Sequence, residues 1–148
     1  MKNKGFSLVE LIIVVAIMAI LAGALAPFLI KYINKARISN DIDTGATIGR
    51  ALVAAVSNEH VFFDAVEHPD QPWNVNDMDG DEFKEEVFSS FGVDVFEGKS
   101  SKDVDGNELD DKYFYYTLDS SKNKVVIYYG GTDESNMIYP DVGAKFKQ

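Results

Sequence analysis

Among the residues able to do chemistry, Glu10 has the least ordinary setting. It stands at the head of a charge-free apolar run from Leu11 to Ile30, twenty residues long. A carboxylate inside hydrocarbon costs roughly 2.5–3.5 kcal/mol on insertion scales. An acid placed there calls for a function and a partner. The plainer alternative is a solvated carboxylate at the membrane interface, near Lys2 and Lys4.

Two acidic runs invite a metal. Asp77-Met78-Asp79-Gly80-Asp81, with Glu86 behind it, partly follows the D-x-D-x-D-G pattern of a calcium loop, but Val75 falls where the first ligand belongs. Asp103-Val104-Asp105-Gly106-Asn107 has Ser101 at the first position and Lys112 at the twelfth, so the bidentate acid is missing. Asp-Gly is also a usual tight-turn dipeptide. Asp77, Asp79, Asp103 and Asp105 are therefore weak calcium candidates, and no other cofactor is expected. His60 and His68 are the only histidines and lack a metal-ligand spacing. No glycine-rich phosphate loop occurs, and no acid is paired with an activated nucleophile, so the chain does not read as an enzyme.

The elements that position these residues begin with the apolar run. At ~1.5 Å per residue it spans roughly 30 Å as a helix, enough to cross a bilayer core. It is longer than a typical secretory core segment and no small-x-small site ends it. Pro27 lies near its end, and the carbonyl that its ring presses on belongs to Gly23. Gly23 and Pro27 are thus the expected kink. Past Ile30, apolar or small residues recur at Ile38, Ile42, Ala46, Gly49, Val53 and Val56, with Asn40, Asp41, Asp43, Thr44, Thr47 and Arg50 opposite. This predicts one helix from Phe6 to about Asn58, amphipathic from 31 to 58.

Residues 59–148 read as a globular α+β domain. Turn signals from Glu59 to Asp79 predict a loop region. A short helix is expected from Asp81 to Phe91, with Phe83, Val87 and Phe88 inward and Gly92 as its stop. Strands are expected at Val93–Phe96, Tyr113–Leu118, Lys124–Tyr129 and Met137–Tyr139, the middle two forming a hairpin. One aromatic face of that hairpin belongs in a core. The expected fold is a long N-terminal helix packed on a small antiparallel sheet.

Charge is uneven along the 148 residues. The net charge is −10, with +3 in residues 1–50 and −13 in residues 51–148. The acidic domain excludes direct nucleic-acid binding as its obvious role. The chain has no cysteine, so its stability must come from packing or assembly.

The N-terminus resembles a known family. Lys4-Gly5-Phe6-Ser7-Leu8-Val9-Glu10-Leu11, followed by Ile12-Ile13-Val14-Val15-Ala16-Ile17, looks like the processing motif of type IV prepilins, and the match extends to Pro27. One departure is Ala19, where the family often has glycine; this chain has Gly23 instead. The resemblance implies a leader of residues 1–5, cut between Gly5 and Phe6 by a prepilin peptidase, and N-methylation of Phe6. It implies a pilin fold, with residues 6–30 forming a transmembrane and filament-core helix. Cleavage would turn the Phe6 amide into an amine that is cationic at neutral pH, and Glu10 would pair with such an amine on a neighbouring subunit. Implied partners are further copies, other pilins and an inner-membrane assembly platform. The precursor would sit in the cytoplasmic membrane and the product in a surface filament. The leading function is a structural subunit of a type IV pilus. The alternatives are a pseudopilin of a secretion or DNA-uptake system, and a membrane-tethered extracellular binding domain.

Overall fold

The computed structural model describes residues 6–65, 68–92, 95–119, 121, 122 and 124–147. The fold is α+β: among the described residues it has one long α-helix, two short ones and a four-stranded antiparallel sheet. The chain divides between Ile33 and Asn34 into two units, although helix α1 (Leu8–Val56) runs unbroken through that point.

The first unit is α1 as far as Ile33. All of its described side chains are exposed, including Leu21, Phe28 and Ile30. An 18-residue window of α1 with a mean hydropathy of 2.8 makes the helix long and apolar enough to cross a membrane. Gly23 has open space where a Cβ would stand, and the helix continues through Pro27.

The second unit packs the rest of α1 against the sheet. Strands β1 (His68–Asn74), β2 (Phe114–Leu118), β3 (Val125–Tyr129) and β4 (Met137–Tyr139) pair in chain order, all antiparallel. Burial alternates along β2, so Phe114, Tyr116 and Leu118 face the core and Tyr115 and Thr117 do not. Ile127 and Tyr129 of β3 join them, with Ile38, Ile48 and Leu52 of α1 and Phe146 near the end of the chain. The aromatic hairpin thus has one core face, as expected.

Several expectations change. The first helix starts at Leu8 and ends at Val56, inside the predicted Phe6–Asn58, because local hydrogen bonds close both ends. Its buried face is Ile38, Asp41, Gly45, Ile48, Gly49, Leu52, Ala55 and Val56. Val53 is exposed, Ile42 and Ala46 are half-buried, and Asp41 lies inside rather than outside. Glycine explains the shift. A Cβ at Gly45 would collide with Ile138 and one at Gly49 would stand 2.5 Å from Cδ1 of Tyr139. The sheet approaches the helix closely at these two glycines, so the packed face runs through Gly45 and Gly49 together with Ile38, Ile48 and Leu52, and Val53 is left outside.

The predicted loop between Glu59 and Asp79 contains α2 (Glu59–Asp64) and β1. Asn58 caps α2 by accepting from His60 N at 3.2 Å. Pro69 and Pro72 hide β1 from pattern reading, but β1 is an edge strand whose register shifts between His68 and Trp73, and edge strands tolerate proline. Helix α3 (Asp81–Ser89) buries Phe83 and Val87, and Gly92 follows with φ +64°, matching its expected role as a stop.

Val93 and Asp94 lie outside the described residues, whereas Val95 and Phe96 are not in a strand. A single side chain takes the place of a strand partner. Asn76 Nδ2 donates to Phe96 O at 3.0 Å, and Phe96 N donates to Asn76 Oδ1 at 2.7 Å. Both backbone groups of Phe96 are satisfied there.

Candidate functional site: the start of the first helix

Gly5 lies outside the described residues. Phe6 precedes the helix and is 81% exposed. Ser7 is the helix cap: its carbonyl accepts the first helical bond, from Leu11 N at 3.2 Å, and its Oγ accepts from Val9 N at 3.3 Å. Glu10 reaches back, and its Oε2 accepts from Ser7 N at 2.9 Å. Ser7-x-x-Glu10 has the spacing of a capping box; Glu10 satisfies the N–H of Ser7, while Ser7 Oγ satisfies that of Val9, one residue short of the reciprocal bond. The Ser-x-x-Glu spacing is legible in the sequence, but Ser7 escapes notice because the acid in hydrocarbon dominates the reading.

This cap fixes where the helix begins, and the Gly5–Phe6 bond precedes that start. It also gives the Glu10 carboxylate a local donor and the positive end of the helix dipole. A free amine on Phe6, four residues from Glu10, would add a cation beside an acid already held by its own chain.

The acidic runs are positioned differently. Asp77 belongs to the short 3-10 turn Val75–Asp77, whose carbonyl accepts from Trp73 Nε1 at 2.7 Å. Asp79 and Asp105 are exposed. Asp103 turns its carboxylate into its own loop. Oδ1 accepts from Asp105 N at 2.9 Å and Asn107 N at 2.8 Å, and Oδ2 accepts from Asn107 Nδ2 at 2.9 Å. Burial works to raise the Asp103 pKa, but these hydrogen bonds outweigh it and the net shift is downward. Among the described residues no three His, Asp or Glu side chains form a metal-holding group.

A second carboxylate has a structural role that the sequence did not reveal. Asp41 is 2% exposed, and its two oxygens accept from Lys99 N at 2.8 Å and Ser100 N at 2.7 Å. Ser100 O in turn accepts from Tyr129 Oη. Nearby, Asn34 Nδ2 donates to Asp103 O at 3.3 Å. The loop around Ser100 is therefore latched to α1 by one acid. Desolvation raises the Asp41 pKa against the opposing effect of those hydrogen bonds.

Residues 1–26 match the prokaryotic N-terminal methylation motif. The chain carries a type IV prepilin signal. The signal takes in Phe6, the Ser7–Glu10 cap and most of the apolar run, and it stops one residue before Pro27. It marks the chain as type IV pilin- or pseudopilin-like, and the long helix with its antiparallel sheet is consistent with a pilin fold. No curated protein and no solved structure matched the chain.

Proposed function

We propose that this chain is a structural subunit of a type IV pilus, cut after Gly5, methylated on Phe6 and assembled through its N-terminal helix. The observation that carries the reading is the prepilin signal on a helix whose described side chains as far as Ile33 are all exposed. An apolar surface of that length has two stable environments, a bilayer and a bundle of like helices. The precursor uses the first and the filament the second. Each subunit offers the same head-to-tail surfaces, and a heterologous contact that does not close propagates as a helix.

Glu10 and the Phe6 amine of a neighbour set the register in this scheme. Apolar burial supplies most of the attraction but is indifferent to small slips along the axis, whereas a buried ion pair is not. The prepilin peptidase and the inner-membrane platform are the partners before assembly. The chain acts as a building block rather than as a catalyst.

Mass spectrometry of the chain from its native host, combined with electron microscopy of material sheared from the cells, tests the reading. The expected result is a mature N-terminus at methylated Phe6 and long surface filaments containing the chain. An intact Met1 would point to a permanent membrane tether. A methylated Phe6 without surface filaments would point to a pseudopilin.

A further inference from the structure

We propose that the outward face of α3 is a docking surface for a second copy of this chain, which places there its basic segment Lys31, Lys35 and Arg37. The proposal rests on the filament-subunit reading and adds to it which surfaces of two subunits meet.

Two features of the fold fit one another. Between Glu59 and Glu86 ten acidic side chains accompany a single basic one, Lys84. Lys84 Nζ is engaged elsewhere, donating to Asn76 O at 3.1 Å. Glu82, Glu85 and Glu86 are exposed on α3 and line an open cavity of about 290 Å³ floored by Val61. A cleft of that size accepts one long side chain with an apolar stem and a cationic head, the form of lysine and arginine.

The complementary surface is on the same chain. Lys31, Lys35 and Arg37 are exposed, and no acid occurs from Leu11 to Asn40. This segment begins directly after Ile30, the last residue of the apolar run. Burying the apolar runs of several copies against each other brings these cations to the rim of the buried region, a continuation of the contact that assembly requires. Charge pairs of this kind govern orientation and partner choice more than affinity. The apolar helices hold the copies together, and the charges select which face of the next head is met.

The experiment uses the full chain in its native host. One variant carries Glu82→Lys, Glu85→Lys and Glu86→Lys; another carries Lys31→Glu, Lys35→Glu and Arg37→Glu; a third combines them. The readouts are sheared filament yield and the membrane pool of processed chain. Each reversal alone should lower filament yield roughly tenfold, and the combination should recover to within about threefold of the parent. Because the chain has no cysteine, the pair Lys35→Cys with Glu85→Cys provides a test that does not depend on charge reversal. Mild oxidation of its filaments should give a ladder of cross-linked subunits.

Filaments without a ladder, or a normal yield from the α3 reversal, would overturn the proposal. So would a reversal of Lys31, Lys35 and Arg37 that depletes the membrane pool instead of the filaments, which would assign those cations to anionic lipid headgroups. If the parent chain keeps Met1 and makes no filaments, the filament-subunit reading itself fails and the docking surface fails with it.

Discussion

At the scale of single residues, Glu10 has two roles that different substitutions separate. Its carboxylate caps the helix through Ser7 N, and in the proposed filament its charge meets a neighbour's amine. Glu10→Gln keeps an oxygen for the cap and loses the charge, whereas Glu10→Ala loses both. Removing one member of a buried ion pair costs about 3–5 kcal/mol. We expect both variants to be processed at Gly5–Phe6 and neither to yield filaments, as read by mass spectrometry of the membrane fraction and by sheared filament yield. Normal filaments from Glu10→Gln would refute the charge pairing. Asp41 and Asp103 make an opposed pair. The Asp41 pKa is raised in the fold, so the stability that Asp41 contributes is fully present below the ordinary pKa of 3.8 and is lost as pH rises through the folded value. The Asp103 pKa is lowered, so its contribution is present above pH 3.8 and is lost as pH falls through the folded value. Denaturant melts of the detergent-solubilised chain across acid pH should show these opposite trends. The stability gap to Asp41→Ala should shrink as pH rises, and the gap to Asp103→Ala should shrink as pH falls.

At the scale of elements, the junction of α1 with β4 is the most exacting contact. Gly45 and Gly49 sit one turn apart under Ile138 and Tyr139. Gly49→Val should destabilise the detergent-solubilised chain by about 1–3 kcal/mol, the usual cost of overpacking, in a thermal or denaturant melt. The same substitution at Gly23, which has open space around it, should leave that melt unchanged. These glycines also show where sequence reading stops. Long periodic segments were legible, and so α1, α3 and strands β2 to β4 stand close to their predicted places. Apolar spacing places Ile38 and Val56 on the buried face of α1 but does not mark Gly45 or the latched Asp41, which the sheet and the Ser100 loop select. Strand β1 is hidden in the sequence because its two prolines read as turns, and only its position at the sheet edge makes them acceptable. The candidate site was legible through Phe6 and Glu10. Ser7 has a legible spacing to Glu10 that the acid in hydrocarbon overshadows, whereas the role of Asp41 depends on the distant backbone N–H groups of Lys99 and Ser100, which no local pattern displays.

At the scale of the whole molecule, the chain separates what attracts from what selects. In the proposed filament the apolar run of residues 11–30 supplies the attraction, and the charges on either side of it, with the acid and shape of the second unit, do the selecting. High salt should therefore loosen neighbour selection before it dissolves filaments, because exposed charges are screened over about 8–10 Å at moderate ionic strength while apolar burial is not weakened. Raising salt during assembly should increase irregular or bundled filaments in electron micrographs before total yield falls. The second unit also has no cysteine, and its final segment is fastened by hydrogen bonds, including Lys145 N to Ser135 O at 3.1 Å and Lys145 Nζ to Asn136 Oδ1 at 2.8 Å. The amide of Asn76, which stands in for a strand at Phe96, brings time into the picture. In the proposed fibre a subunit would not be renewed while the fibre lasts, so slow hydrolysis would accumulate. Conversion of that one amide to a carboxylate would replace the donor facing Phe96 O with a charge. The oldest part of such a fibre would then carry heads loosened at one loop, an ageing mark written by water rather than by any enzyme.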